Sequence, residues 1–285
     1  MGSRELGLVL AQQLLGIEDL HYGLWDPGQP LTLANLPVAQ QRYSDLLLET
    51  AAKVLDGIPS PRVMDVGCGT GRLAVQMLAR GWQVTALSPS PALASLARER
   101  LAAFPAGLVR LLEVRFEDLD LNAVGNCDLV LFSESFQYIP LPQLFHKLPA
   151  LLQPGGHVLV CDFFKSDAHG DGLPGDRSFG GGHLQAEFYR ALAAAPFNVL
   201  QDDDLTGRVS PTIELLETVL TRRLVPAAMT LGRYLRQHYP RLSAVVNWLL
   251  RHKLERLHYK YLSGHRSRAV FEKYKRYRLL LLRRE

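Results

Sequence analysis

One acidic residue and three glycines stand close together in the stretch VMDVGCGTGRLAVQML, which covers residues 63–78. Asp65 lies two positions before Gly67, and Gly69 and Gly71 follow at alternate positions. The apolar residues before the glycines are typical of a buried strand, and those after them of a helix. Glycine tolerates positive φ and leaves the main chain open to a ligand, while a helix N-terminus presents free N–H groups. This spacing predicts a nucleotide-binding turn between a strand and a helix.

The acidic residue discriminates between two classes of nucleotide. A dinucleotide would bring a pyrophosphate to the turn, which the carboxylate of Asp65 repels, whereas it attracts the ammonium and sulfonium groups of S-adenosylmethionine. Arg72 occupies the place of the third glycine in the dinucleotide pattern G-x-G-x-x-G. No Gly-Lys-Ser/Thr follows the turn, which excludes a Walker-type phosphate loop. The residues therefore favour S-adenosylmethionine as the cofactor.

Titratable side chains outside the turn are candidates for a general base. Glu134 follows the fourth predicted strand, where parallel sheets place their ligands, and Tyr138 comes one helical turn later. His183 ends the loop sequence FGGGH, and His21 precedes the first predicted helix. Histidine exchanges protons near neutral pH, although each of these residues can equally be an ordinary hydrogen-bonded side chain. The predicted catalytic residues are Glu134, His183 and Tyr138.

Residue types that bind metals show no ligand spacing typical of a metal site. Two histidines and two aspartates share one glycine-rich segment without such a pattern, namely Asp167, His169, Asp171 and His183. We therefore predict no metal. The three widely separated cysteines argue against a zinc site and against a disulfide scaffold, which predicts a reducing, cytoplasmic location; they are Cys68, Cys127 and Cys161.

Strands and helices alternate through the middle of the chain. Strands are predicted at 62–66, 82–87, 110–115, 128–133, 156–163 and 197–201. Helices are predicted at 39–55, 71–80, 90–103, 141–152 and 185–195. This alternation predicts an α/β fold, a Rossmann-like and mostly parallel sheet with helices on both faces. A helical N-terminal segment precedes the sheet, and a helical C-terminal extension follows it.

The glycine turn and the strands around it resemble a known family. DVGCGTG is similar to the first motif of class I S-adenosylmethionine-dependent methyltransferases. The likeness runs from about residue 22 to about residue 164 and includes VTALSPS, VRFEDLDL, CDLVLFSESFQYI and LLQPGGHVLVCDFF. HYGLW and LSPS resemble the small-molecule branch, which methylates quinones, tocopherols, sterols and related lipophilic acceptors. The resemblance implies biosynthetic transfer of a methyl group to a small lipophilic or aromatic acceptor.

The resemblance also assigns cofactor contacts. It implies that Asp65 and the glycine turn hold the methionine end of the cofactor. Phe116 and Glu117 fall at the adenine, although Phe116 can equally belong to the core. Leu87 and Ser88 stand where family members carry the acid that grips the ribose, and a serine hydroxyl lacks its charge. The predicted cofactor contacts are Tyr22, Asp65, Gly67, Cys68, Gly69, Gly71, Leu87, Ser88, Phe116, Glu117 and Ser133.

Three regions are predicted along the chain. Residues 1–60 form a helical N-terminal cap, whose loop either brings Tyr22 over the cofactor or fastens the loop to the body. Residues 61–212 form the cofactor-binding catalytic domain. Residues 213–285 form a basic helical extension that serves as acceptor pocket, lid or interface.

The extension carries most of the positive charge. From residue 221 to residue 285 there are 17 Lys and Arg against three acidic residues. This charge either neutralises the acidic body or faces an anionic partner. A tail that combines Tyr259, Tyr261, Tyr274, Tyr277 and Leu279–Leu282 with Lys and Arg predicts peripheral contact with an anionic membrane. Apolar positions at helical spacing pack on the body or on a second subunit of a homodimer, namely Leu242, Val245, Val246, Leu249, Leu250, Leu254 and Leu257.

Two other functions remain open at this stage. A cyclopropane-synthase-like enzyme would use the same cofactor to modify a lipid double bond, and LSPS is compatible with it. A methyltransferase fold without activity would serve as a binding module, in keeping with the missing ribose carboxylate. Nucleic acid is not expected as the substrate, because Ser133-Glu134-Ser135-Phe136 replaces the Asn/Asp-Pro-Pro-Tyr/Phe motif that holds a flipped base.

Overall fold

A seven-stranded sheet organises the computed structural model, which describes residues 19 and 21–285 except for ten side chains between positions 242 and 260. The strands are β1 (Arg62–Val66), β2 (Gln83–Leu87), β3 (Val109–Leu112), β4 (Cys127–Ser133), β5 (Leu152–Lys165), β6 (Phe197–Asp204) and β7 (Lys275–Arg284). Their order is β3-β2-β1-β4-β5-β7-β6. β7 is antiparallel to β5 and β6, and the remaining pairs are parallel. The predicted Rossmann-like, mostly parallel sheet is confirmed.

The helices of the described residues lie between and after the strands. They are α1 (Leu36–Leu55), α2 (Arg72–Leu78), α3 (Pro91–Leu101), α4 (Leu121–Val124), α5 (Leu141–Leu151), α6 (Gln185–Ala193), α7 (Thr206–Val209), α8 (Pro211–Val219), α9 (Val225–His238), α10 (Pro240–Leu257) and α11 (Arg268–Tyr274). Short 3₁₀ turns occur at Leu33–Asn35, Phe116–Asp118 and Phe136–Tyr138, and π-helical turns at Leu220–Leu224 and His258–Leu262. The predicted first helix therefore forms, and the rest of the predicted N-terminal cap up to residue 18 lies outside the described residues.

The core is divided by the sheet into two layers. Leu129 and Leu131 of β4 pack with the helices on one face, and Val130 and Phe132 pack on the opposite face. Neighbouring residues of a strand point to opposite sides, so this division follows from the pleat. Because helices cover both faces, the middle of a central strand is apolar without interruption, as in Leu129–Phe132 of β4.

The last strand corrects the prediction that the whole of 213–285 is helical. β7 carries Leu279–Leu282 into the sheet between β5 and β6, and these leucines are at most 5% exposed. A short apolar run fits a buried strand as well as a buried helix, and periodicity alone does not distinguish them. Tyr274 and Tyr277 are also fully buried. This part of the tail therefore does not lie on a membrane.

The basic C-terminal region divides into an embedded part and an exposed part. Arg278 of β7 pairs with Asp202, and Arg268 pairs with Glu214 and Glu272, so these charges are neutralised within the chain. The helical hairpin, defined as α9 and α10, carries exposed Val245 and Leu249, at 54% and 63%. At these exposures the two residues do not pack on the body, and packing on a second subunit stays a prediction. The other five apolar positions of that prediction lie outside the described side chains.

None of the described helices combines the length and the hydropathy that a bilayer crossing requires.

Candidate active site

A cavity of about 440 Å³ opens at the C-terminal ends of β1, β2 and β4. β1 and β4 are neighbours in the sheet, and the direction of strand succession reverses between them. In open α/β sheets this switch point is where ligands bind. Of the predicted residues, those that line the cavity are Asp65, Gly67, Cys68, Gly69, Leu87, Ser88, Phe116, Glu117, Ser133, Glu134 and Tyr138.

Asp65 is the least satisfied polar group in this cavity. Its side chain is 1% exposed, and its Oδ2 atom has no hydrogen-bond partner among the described residues. Burial raises the pKa of the carboxyl group to about 7. A buried carboxylate without a donor is costly unless a ligand supplies the donor or the positive charge. The turn therefore fits a ligand that presents a cationic group to Asp65.

The glycines shape the turn in three different ways. The N–H groups of Gly67 and Cys68 both donate to the carbonyl of Leu87 at 2.9 Å, which fixes the turn to the end of β2. A Cβ on Gly67 would come within 2.5 Å of the Cβ of Ser135, and Gly67 has φ +81°. Gly69 has φ +56° and no atom within 4 Å of a Cβ position, so its main chain is open toward the cavity.

Gly71 ends the turn and begins the following helix. It adopts φ +79° at the N-cap of α2, with its Cα substituent position against Ala97. It does not line the cavity. Gly71 therefore lies outside the cavity, unlike the other predicted glycines. Its lack of a side chain allows α2 to approach α3 closely.

Glu134 lies at the centre of a buried hydrogen-bond network. It follows β4 with φ +54°, a conformation that costs energy in a residue other than glycine. Its Oε1 atom accepts hydrogen bonds from the main-chain N–H of Tyr22 and the hydroxyl of Tyr277, both at 2.8 Å. Burial raises the pKa of Glu134, while His21 and the two donors partly oppose that increase. The strained turn and the two bonds hold one carboxylate in a fixed position on the cavity wall.

His21 lies beside this carboxylate. Its ring stacks on Tyr43 with centroids 4.3 Å apart, and its Nδ1 lies 2.8 Å from the carbonyl of Tyr22. Its Nε2 atom is 3.6 Å from Asp19, and the pKa of His21 is raised by Asp19 and Glu134 against the opposing effect of burial. A protonated His21 therefore stabilises the ionised form of Glu134.

The residues predicted to contact the adenine and the ribose also line the cavity. Phe116 is 3% exposed and packs edge-on against Phe132 at 5.7 Å, so it belongs to the core and to the wall at once. Ser88 is 1% exposed, and its hydroxyl donates to the carbonyl of Ser90 at 3.4 Å. Glu117 pairs with Arg115.

Tyr22 and His183 lie outside this cavity. Tyr22 reaches it only through the N–H that Glu134 accepts. The Nε2 atom of His183 is 3.2 Å from the carbonyl of Phe136, and burial lowers the pKa of the imidazole. His183 therefore has a structural contact here, whereas Tyr138, which is 60% exposed, lies at the rim.

Sequence reasoning missed Asp19 and Arg72 as part of the site. Both line the cavity, and their charged groups are 3.4 Å apart. In the sequence Arg72 is recognisable only as a departure from the dinucleotide pattern. Its position in the first turn of α2 does not determine the direction of its side chain. The guanidinium of Arg72 is thus a positive group on the wall of the same cavity as Asp65.

Comparison with known proteins agrees with this architecture. Residues 63–156 match the family described as "Methyltransferase domain". Ubiquinone biosynthesis O-methyltransferase of Alkalilimnicola ehrlichii is 31% identical over 137 residues, 47% of this chain and 52% of that protein. The enzyme of the same name from Xanthomonas axonopodis pv. citri is 33% identical over 149 residues, 50% of this chain and 57% of that protein. The chain thus contains a segment that is similar to methyltransferase domains. It spans about half the length of the curated relatives it matches.

Solved structures resemble the fold of this chain over almost its full length. Geranyl diphosphate methyltransferase in complex with GPP and sinefungin has a TM-score of 0.69 at 18% identity, covering 97% of this chain and 94% of that one. The [4+2]-cyclase SpnF has a TM-score of 0.65 at 22% identity, covering 99% and 94%. At these identities the likeness concerns the fold, and chemistry has to be argued from the site.

Proposed function

We propose that this chain transfers a methyl group from S-adenosylmethionine to a small, lipophilic or aromatic acceptor. The observation that carries the proposal is the unpartnered Oδ2 of buried Asp65 beside the open main chain of Gly69. A cationic amino-acid end satisfies that carboxylate, which a diphosphate cannot do. The curated relatives support the same reaction, since their names describe O-methyl transfer in ubiquinone biosynthesis.

The described residues fit the two ends of the proposed cofactor. Asp65 faces the ammonium group, and Arg72 offers its guanidinium to the carboxylate. Phe116 and Glu117 border the part of the cavity left for the adenine. Ser88 lies at the end of β2 for the ribose, without the carboxylate typical of the family. When bound, the cofactor supplies a methyl group already activated by a positively charged sulfur, so the protein has mainly to align the acceptor and exclude water.

Glu134 is the proposed base. Its carboxylate lines the cavity, and Tyr22 and Tyr277 bind only Oε1 among the described donors, which leaves Oε2 for the acceptor. His21 beside it stabilises the ionised form. Glu134 accepts a proton from a hydroxyl, amine or acidic carbon of the acceptor as the methyl group is transferred. Tyr138 at the rim and His183 remain proposed as lesser candidates.

The proposed location is the cytoplasm, where a soluble cofactor and reduced thiols are present. Cys68, Cys127 and Cys161 are all free and buried in the structure. That arrangement supports a reducing compartment, where disulfides are rare.

The decisive experiment combines binding with product analysis. Calorimetry with S-adenosylhomocysteine tests for binding at micromolar strength, which an inactive binding module need not show. Incubation with methyl-labelled S-adenosylmethionine and a panel of phenols, quinols and unsaturated lipids then tests for transfer. Product NMR separates an added methyl group from a cyclopropane ring, which a mass gain of CH₂ does not. Absence of binding to this cavity contradicts the proposal.

The affinity for S-adenosylhomocysteine is expected to increase as the pH rises toward neutrality. Because the free protein holds a proton on Asp65 below its pKa of about 7, binding an ammonium group there must release that proton. The affinity then increases by up to about tenfold per pH unit below that value and levels off above it. His21 titrates nearby, so the variant Asp65→Asn serves as the control in which the release from residue 65 is absent. Calorimetry at about pH 6 and pH 8 in buffers of different protonation enthalpy measures the release. An affinity that decreases with rising pH contradicts the assignment.

We further propose that the helical hairpin rests on an anionic membrane surface, from which a lipophilic acceptor is collected. Trp248, 75% exposed, and Leu231, 58% exposed, give it uncovered apolar side chains. Residues 221–262 contain nine Lys and Arg against a single acidic residue. Exposed aromatic and aliphatic groups among cations are typical of interfacial helices. A second copy of the chain is the alternative occupant, as in the predicted homodimer.

Vesicle sedimentation tests this surface with matched variants. We expect strong binding to vesicles rich in phosphatidylglycerol and weak binding to phosphatidylcholine alone. Arg233→Gln with Arg236→Gln should weaken binding roughly 30-fold, since each cation near an anionic surface contributes about 1 kcal/mol. Arg80→Gln with Arg190→Gln changes the same charge outside the hairpin and should leave binding within about twofold. Equal binding to both kinds of vesicle, or dimerisation that buries Trp248, contradicts the membrane assignment.

A further inference from the structure

A second cavity, of about 240 Å³, lies beside Tyr22. Most of its wall is apolar or aromatic, and the residues concerned are Phe179, Ile213, Leu216, Leu220 and Tyr261. Two charged side chains, Glu217 and Arg266, complete the lining. An apolar cavity with a few polar groups is the usual form of a small-molecule site.

Tyr22 connects this cavity to the candidate active site. Its main-chain N–H donates to Glu134 at 2.8 Å, while its side chain lines the second cavity. Its ring packs edge-on against Tyr277 at 6.1 Å, and the Tyr277 hydroxyl donates to the same oxygen of Glu134. Tyr22 therefore contacts both the second cavity and the proposed base.

Arg266 is the only cation on the wall of this cavity as described. Its guanidinium lies 5.1 Å from the ring centre of Phe179 and 5.0 Å from that of Tyr261, and it donates to the Tyr261 hydroxyl. Within the described residues it forms no ion pair with a carboxylate, unlike Arg268 two positions later. Two nearby aromatic rings and the hydrogen bond to Tyr261 restrain the guanidinium, whose remaining N–H groups suit an acceptor with two oxygens.

Resting on the methyl transfer proposed above, we propose that the second cavity binds the acceptor, and that the acceptor is an apolar molecule carrying one carboxylate held by Arg266. The apolar wall accommodates the body of the molecule. A single guanidinium compensates a single negative charge, and the carboxyl group of Glu217 in the same cavity opposes any further one. The carboxylate at one end orients the acceptor, so its reacting atom points past Tyr22 toward Glu134.

Calorimetry with two probes of equal chain length tests the proposal on the full chain. Decanoate and 1-decanol are titrated into protein saturated with S-adenosylhomocysteine. We expect decanoate to bind roughly 10- to 100-fold more tightly than 1-decanol, as for a charge-assisted hydrogen bond. Arg266→Met should reduce that preference to within about twofold while 1-decanol binding persists. Arg190→Met, an exposed site outside the cavity, is the control and should retain the preference.

A cavity-filling variant separates this site from the exposed hairpin. Leu216→Trp places an indole in the second cavity and should abolish binding of both probes without changing the affinity for S-adenosylhomocysteine. Equal affinity for the two probes, or decanoate binding that survives both Arg266→Met and Leu216→Trp, overturns the inference. If S-adenosylhomocysteine itself fails to bind the unaltered protein, the proposed function fails instead. The two failures are thus distinguishable.

Discussion

Replacing Asp65 by Asn should weaken the binding of S-adenosylhomocysteine roughly 30-fold or more at pH values above the pKa of the carboxyl group. Asp65 is buried, and Oδ2 has no partner within the described chain, so a bound ammonium group meets an otherwise uncompensated carboxylate. Loss of one partner of such a buried charge pair costs about 2–5 kcal/mol. Calorimetry measures the affinity directly. Asp118→Asn, at an exposed position, is the matched control and should bind normally.

The same substitution should stabilise the protein in the absence of cofactor. Burial raises the pKa of Asp65 from 3.8 to about 7. Ionisation of Asp65 is therefore less favourable in the folded state than in the unfolded state, which lowers the free energy of unfolding. This cost develops as the pH rises from the unfolded value toward about 7 and is complete above it. Thermal unfolding at about pH 8 should therefore give a higher midpoint for Asp65→Asn than for the unaltered protein. Unchanged cofactor affinity, or a lower midpoint together with weak binding, contradicts the role assigned to Asp65.

Glu134→Gln should reduce kcat by about 10²- to 10⁴-fold while the affinity for S-adenosylhomocysteine stays within about threefold. Glutamine keeps the shape of the side chain and an oxygen for Tyr22 and Tyr277, so the network survives and only the base is lost. Turnover of an acceptor from the proposed panel provides the measurement. In the unaltered protein activity should increase with pH through the raised pKa of Glu134, and that limb should be absent in the variant.

Tyr277→Phe distinguishes a chemical role from a structural one. It removes one of the two donors to Glu134 but leaves the carboxylate in place, so we expect less than about a tenfold decrease in kcat and a shift of the pH profile to higher pH. A structural role alone predicts similar losses for Tyr277→Phe and Glu134→Gln. Equal activity of Glu134→Gln and the unaltered protein would remove Glu134 from the mechanism.

Local sequence predicted the glycine end of the site because the relevant residues are neighbours in the chain. The spacing of Asp65, Gly67 and Gly69 predicts a strand, a turn and a proposed ligand contact within five positions. The Rossmann-like sheet followed from the alternation of short strand and helix patterns. Spacing does not determine the direction of a long side chain. Arg72 was therefore not predicted to line the cavity.

Contacts between distant residues were beyond the reach of these patterns. Tyr277 is hydrogen-bonded to Glu134, 143 positions away in the sequence, and Gly23 is hydrogen-bonded to Thr212, 189 positions away. The run Leu279–Leu282 fits a helix or a strand equally well from its sequence. Its place between β5 and β6 in the sheet identifies it as a strand. The second cavity is lined by residues of the N-terminal loop, the glycine-rich loop, α8 and the segment before α11. No single stretch of sequence therefore predicts it.

The position of β7 has a consequence for how the protein is made. Translation delivers this strand after the other six, yet it occupies an interior place between β5 and β6. Until β7 is inserted, both of those strands expose unsatisfied edges, and Glu134 lacks its Tyr277 partner. A nascent chain can therefore form the glycine turn before the network around Glu134 is complete, and chaperones that shield open strand edges should matter most in the interval before β7 is inserted.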